Sequence, residues 1–188
     1  MRHRYDLFLS LSAYACACAC VRVKSCHVLY ATVCNWSSYV SHVEARRYCT
    51  YYGKRLPHSY EWQYAAQGTD GRTYPWGSLK DRRRFPSTVK GWLALADVDA
   101  FSPLDESPFG VSGLVGHVWQ WTSEFCDAHT CRSSMRGGSN YEPSTSGHNY
   151  YFKQALELNK EQKYLTMSDS YDRTGTFGFR CVADAGAS

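Results

Sequence analysis

Between Gly68 and Gly147 the sequence never holds one period long enough to build a long helix or a broad regular sheet. Thr69-Asp70-Gly71-Arg72 and Pro75-Trp76-Gly77-Ser78 carry turn chemistry, and Gly, Pro, Asn, Asp or Ser keeps returning along the stretch. Each of these residues either reaches positive φ, presets φ or bonds its own backbone. A chain punctuated in this way must assemble its core from loops and short elements, and large rings are the efficient way to fill such a core. The 6 Trp, 15 Tyr and 8 Phe among 188 residues meet that need. With 44% hydrophobic and 20% charged residues, the composition excludes a disordered, collagen-like or coiled-coil chain. The length suits one domain.

The helical patterning precedes this stretch, and only brief strand candidates stand out within and after it. Ser41-His42-Val43-Glu44 has the form of a capping box, so a helix is expected to follow and to end at Gly53. Val43, Arg47 and Tyr51 share one face of it; Ala45, Tyr48, Cys49 and Tyr52 form an adjoining stripe. A second helix is expected from Ser59 to Gln67, stopped by Gly68, with Trp62, Ala65 and Ala66 inward. Strands are expected at Val115 to Thr122, where Val118, Gln120 and Thr122 alternate with Trp119 and Trp121, at Ser134 to Arg136, and at Phe177 to Val182. The reading is a loop-rich α+β domain without internal repeats.

Charge narrows the function classes. The net +4 arises from 21 basic against 17 acidic residues, and the dense basic run is Arg82-Arg83-Arg84 alone. With no basic face along any element, nucleic acid is not an expected partner. The apolar stretch from Leu7 to about Val21 is shorter than the roughly 18–20 residues of a membrane-spanning helix, so no span is expected. Arg2, His3 and Arg4, then Leu7 to Leu11, then Ala13, Ala15 and Ala17 follow the order of a secretory signal, interrupted by Asp6. Five of the 9 cysteines precede residue 35. Residues 16–26 alternate Cys with small residues as a translated dinucleotide repeat would. An artefact or processing segment is the preferred reading, with a metal-binding thiol tract or a palmitoylation cluster as alternatives. Residues 1–32 are therefore left unassigned, 33–184 taken as the domain and 185–188 as a tail.

Seven short motifs, in order, carry a resemblance. They are Glu44-Ala45-Arg46-Arg47-Tyr48-Cys49 leading to Gly53-Lys54-Arg55-Leu56-Pro57, Glu61-Trp62-Gln63-Tyr64-Ala65-Ala66, Asp70 to Gly77, and Ser107-Pro108-Phe109-Gly110-Val111. After them come Gly116-His117-Val118-Trp119-Gln120-Trp121-Thr122, Arg136-Gly137-Gly138-Ser139 and Gly178-Phe179-Arg180-Cys181-Val182. Together they resemble the sulfatase-modifying-factor family, also called formylglycine-generating-enzyme-like. The likeness implies a loop-rich α+β fold of C-type-lectin-like type with two short helices and short antiparallel strands. It also implies a disulfide between Cys49 and Cys181 and, by the length of family domains, a chain truncated at its N-terminus. Secretory or extracellular localisation would fit such a bridge and the N-terminal order. Arg55 and Arg180, set in apolar motifs, are expected to be core arginines with carboxylate or carbonyl partners.

The family's naming activity oxidises a client cysteine to formylglycine with copper(I) held by two cysteines that follow Gly-Gly-Ser. Here Glu142 and Gly147 fall at those positions. Copper(I) is soft and wants sulfur, so neither copper nor formylglycine generation is expected. Cys126 and Cys131 share the Cys-x4-Cys spacing but precede Gly-Gly-Ser; a local disulfide or two free thiols is the preferred reading, with a metal pair including His129 as the minority one. The least favoured reading keeps formylglycine generation through those two cysteines. His117 stands where family members commonly place an Asn that contributes to a calcium site, and imidazole is a poor ligand for that ion. Calcium is thus in doubt at His117, and Leu79 to Ala96 offers no convincing second oxygen cluster.

Two functional readings remain. In the first, Trp119, Trp121, Tyr141, Tyr150 and Tyr151, with Glu142, His148, Asn149 and Arg173, line a surface for a peptide, glycan or small molecule, and the chain is a binding or accessory module. Core packing accounts for the two tryptophans equally well. In the second, the chain is part of a nonheme iron oxidoreductase resembling the sulfoxide synthases, its metal domain lying elsewhere. Iron enters only on that reading, held by some of His117, Asp127, His129, Glu142 and His148.

Overall fold

The structure is a computed structural model. It describes residues 19–22, 28–32, 38–90, 96–127, 132–142, 144, 157–166 and 172–184; for 19–22, 28–32, 89–90 and 125–127 it describes the backbone alone. The elements run β1 (Ala19–Arg22), β2 (Val28–Thr32), α1 (His42–Tyr51), α2 (Ser59–Gln67), β3 (Val89–Lys90), β4 (Trp119–Asp127), β5 (Arg132–Arg136), β6 (Tyr141–Glu142), β7 (Gln162–Leu165), β8 (Phe177–Phe179) and β9 (Cys181–Asp184). A 3-10 turn at Arg82–Arg84 joins them, and Arg83 and Arg84 pair with Asp81. The fold is thus α+β, with two short helices as expected.

Both helices begin for reasons visible in their first residues. The Ser41 Oγ accepts from the Glu44 N–H at 3.3 Å while the Glu44 carboxylate accepts from the Ser41 N–H at 3.0 Å, which satisfies two of the orphan donors of α1. At α2 the Glu61 carboxylate reaches back to the His58 N–H at 2.8 Å, and the Glu124 carboxylate accepts from the Ser59 N–H at 2.7 Å. Trp62, Ala65 and Ala66 face inward, matching the sequence expectation. On α1 the adjoining stripe supplies the buried face through Ala45 and Cys49, with His42 added, whereas Val43 and Tyr51 lie exposed.

The strands form three sheets, ordered β1-β2-β9, β3-β6 and β7-β5-β4-β8. Pairing is mostly antiparallel, but β4 pairs with β8 and β3 with β6 in parallel, a departure from the expected antiparallel strands. The predicted Phe177-to-Val182 strand divides at Arg180, so β8 joins β4 while β9 joins β2. Strands β1 and β2 lie within residues 1–32, where they pair in register with each other, and β2 pairs in turn with β9.

Two apolar clusters make the core. Trp62, Tyr74, Phe85, Leu114 and Leu158 build one around α2, and Trp119, Trp121, Met135, Phe177 and Phe179 build the other between α1 and the β4 sheet. The Cys49–Cys181 disulfide forms as the family resemblance implied and ties α1 to β9 across 132 residues.

Candidate functional site

Strand β4 is covered on both faces from Trp119 to Thr122, and this decides the fate of those residues. Val118, Gln120 and Thr122 are buried at 0% exposure on one face, and Trp119 and Trp121 at 2% and 0% on the other. The Trp121 indole N–H donates to the Val40 carbonyl at 3.1 Å, and its ring meets the edges of His42, Tyr164 and Phe177. Both tryptophans therefore belong to the core and not to an open ligand wall; the area such rings bury explains the outcome. Beside them the His42 Nε2 lies 2.9 Å from the Thr122 carbonyl, and burial lowers that imidazole's pKa.

From β5 the chain turns through Gly137 and Gly138, at φ +95° and +69°, into Ser139, Asn140 and then β6. A Cβ on Gly137 would stand 2.5 Å from the Leu114 carbonyl oxygen and 3.0 Å from the Gln120 amide nitrogen, so only glycine permits this turn. Ser139 and Asn140 are buried, and the Asn140 N–H reaches the His117 carbonyl at 3.4 Å. Tyr141 is half-buried and Glu142 exposed, the latter in register with Lys90 of β3. The loop thus delivers one carboxylate to the surface at the position where the family resemblance puts the first copper thiolate.

Two other described candidates, Arg173 and His117, are engaged elsewhere in the fold. Arg173 sits at the start of α1, where it holds Glu44 through its Nε at 2.9 Å and through a second contact from Nη2. His117 is 1% exposed, its ring edge-on to Phe101, and burial together with the Arg180 charge pulls its pKa down to about 4. His129, Cys131, Gly147, His148, Asn149, Tyr150 and Tyr151 lie outside the described residues, and of Cys126 and Asp127 only the β4 backbone is described. Among the described residues no group of three His, Cys, Asp or Glu side chains converges as a metal would require.

The centre that sequence reasoning missed is Gln120. Its Oε1 accepts from the Trp62 indole N–H at 2.9 Å and from the Arg180 Nε at 2.7 Å, while its Nε2 donates to the carbonyl of Leu114 at 2.9 Å. Arg180 adds a bond from Nη2 to the Gly113 carbonyl at 3.1 Å. A polar residue alternating with two tryptophans on a strand was the available signal, because burial on both faces forces such a side chain into a network. Arg136 is a second buried hub, with Nε on Ser59 Oγ at 2.6 Å and Nη1 on the Leu158 carbonyl at 3.2 Å. Arg55 is less buried than expected and pairs with Glu61 and Asp184, both at 2.7 Å.

The donor set also tests the ions that the resemblance brings to mind. A calcium ion beside His117 would need several oxygens, yet the nearby carbonyls of Gly113 and Leu114 already face N–H donors of Arg180 and Gln120. At the other expected site, the Glu142 carboxylate is a hard oxygen ligand, which copper(I) does not favour.

Comparison with known proteins gives the geometry its setting. Residues 37–185 match the family model described as sulfatase-modifying factor enzyme 1-like domain. The chain is 32% identical over 160 residues to the protein from Bos taurus named inactive C-alpha-formylglycine-generating enzyme 2, covering 79% of this chain and 50% of the relative. It is 30% identical over 167 residues to the formylglycine-generating enzyme of Mus musculus, covering 78% and 43%. The chain spans about half the length of the curated relatives it matches. Among solved structures, PvdO from Pseudomonas aeruginosa superposes with a TM-score of 0.59 at 16% identity, over 95% of this chain and 76% of that one. CarF gives a TM-score of 0.50 at 19% identity, over 70% and 47%. These likenesses show the fold, α+β and C-type-lectin-like.

Proposed function

The chain belongs to the sulfatase-modifying-factor family, and within that family we propose that it is a binding or accessory module that does not generate formylglycine. One observation carries the reading: the side chain that follows the Gly137-Gly138-Ser139 turn onto the surface of β6 is the Glu142 carboxylate. A carboxylate supplies neither the soft ligand that copper(I) needs nor a thiol able to exchange with a client cysteine. What the turn does offer is an exposed negative charge on a short strand paired with β3, next in sequence to the half-buried Tyr141. Such a carboxylate suits a peptide carrying a basic residue, which it would orient by a charge-assisted hydrogen bond.

The experiment incubates the full chain with copper(I), oxygen and a cysteine-bearing sulfatase-motif peptide, following aldehyde by mass spectrometry and binding by fluorescence anisotropy. The expected result is binding that weakens several-fold in Glu142→Gln, with no aldehyde formed. Copper-dependent aldehyde that disappears in Cys131→Ser would restore the oxidase reading. Absence of any binding would remove the peptide-module reading.

A further inference from the structure

We infer that the guanidinium of Arg180 is the built-in cation of the Gln120 pocket, and that this pocket takes no divalent ion where the family resemblance expects calcium beside His117. The argument rests on which way the dipoles point. Calcium is held by six to eight oxygens, several of them carboxylate or backbone carbonyl, at about 2.3–2.6 Å. The pocket's carbonyls are committed to nitrogen donors that belong to the chain itself. Leu114 O receives Gln120 Nε2 at 2.9 Å, Gly113 O receives Arg180 Nη2 at 3.1 Å and Gln120 Nε2 at 3.4 Å, and Ser112 O receives Arg180 Nη2 at 3.4 Å. The one oxygen of the Gln120 side chain carries two further donors, Trp62 Nε1 and Arg180 Nε.

A divalent ion entering here would have to strip the donors from these carbonyls and then sit against a fixed positive charge. Of the buried Asp105 carboxylate, Oδ2 accepts the Gly113 N–H at 2.7 Å, which leaves Oδ1 alone without a bond among the described residues, far short of the six to eight oxygens calcium takes. Asp105 therefore steadies the same peptide segment from its amide side. The Gly137 turn packs on the same Leu114 carbonyl and Gln120 amide, 2.5 Å and 3.0 Å from where a Cβ would stand, so a side chain at that position would disturb the network from a third side. Arg180 is 4% exposed, so its charge stays in the pocket by covalent attachment and needs no ion concentration to keep it there.

The Trp62 indole reports directly on this pocket, because its N–H donates to the Gln120 oxygen that an ion would claim. In the 15N-labelled full chain, its indole signal is expected to hold its position when calcium is raised from zero, in EGTA, to about 5 mM, above the range of weak extracellular sites. A saturable displacement of that signal by calcium would overturn the inference. A calcium-induced change confined to other signals, with Trp62 unmoved, places any bound ion outside the pocket and upholds it.

Discussion

Buried at 1% exposure between Phe101 and the charge of Arg180, His117 is held neutral through the whole pH range in which most proteins work. Its pKa falls from 6.5 to about 4, so between those values the unfolded chain binds a proton that the folded chain refuses. Stability therefore drops as pH falls through that window, by on the order of 2–3 kcal/mol from pH 7 to 4.5 on the linkage relation. His42, also lowered by burial, acts with the same sign, whereas Asp105, raised by burial, acts with the opposite sign above pH 3.8. Glu44 and Glu61 are lowered because backbone bonds and their arginine partners together outweigh a large opposing effect of burial, and Asp184 is lowered by its Arg55 partner, so all three add losses below about pH 4.5. Urea unfolding of His117→Gln at pH 7 and 4.5 is expected to show a smaller difference between the two pH values than the native chain shows. An undiminished difference would mean that His117 does not carry the effect.

At the scale of elements, the N-terminus of α1 gathers an unusual number of constraints. Ser41 caps it, Glu44 closes the box, and Arg173 from the segment before β8 grips the same carboxylate. The Thr174 carbonyl meanwhile accepts the Tyr39 N–H at 3.0 Å, with Tyr39 at φ +60°. Loss of the cap should therefore loosen two elements. Ser41→Ala is expected to cost about 1 kcal/mol, with Ser41→Thr restoring most of it, read as the urea midpoint. A neutral Ser41→Ala would show that the Arg173–Glu44 pair alone positions the helix. The ion pair itself is half-exposed, and a pair of that kind contributes little by itself.

At the scale of the whole molecule, β9 is the strand on which distant parts converge. It pairs with β2, bridges to Arg55 through Val182, receives the Arg55 guanidinium on Asp184 and is bonded to α1 through Cys181. Cutting the disulfide removes a constraint on a loop of 132 residues, which on the chain-entropy account stabilises by about 4–5 kcal/mol. The Cys49→Ala, Cys181→Ala chain is expected to unfold at markedly lower urea while keeping the same helix content in mild conditions. An unchanged midpoint would mean that the core and the Arg55 network alone hold β9. Neither helix is long and apolar enough to cross a membrane, nor is any other helix among the described residues.

Local rules in the sequence determined where structure begins and ends. A capping box, a glycine with φ +65° at position 53 and another with φ +70° at position 68 bound the two helices, because these signals act over three or four residues and need no distant partner. The seven motifs likewise carried the family and its Cys49–Cys181 bridge, and the Glu142 position after Gly-Gly-Ser was legible for the same reason. What only the tertiary structure decided was which polar side chains are used up inside. Nothing local in Gly-His-Val-Trp-Gln-Trp-Thr says that both faces of β4 are covered. Only that covering commits the two tryptophans to the core and binds Gln120 to Trp62 and Arg180 across 58 and 60 residues. The division at Arg180 and the parallel pairing of β4 with β8 are of the same kind. Burial is a property of long-range packing, and the energetic need to satisfy buried polar groups appears only once the packing exists.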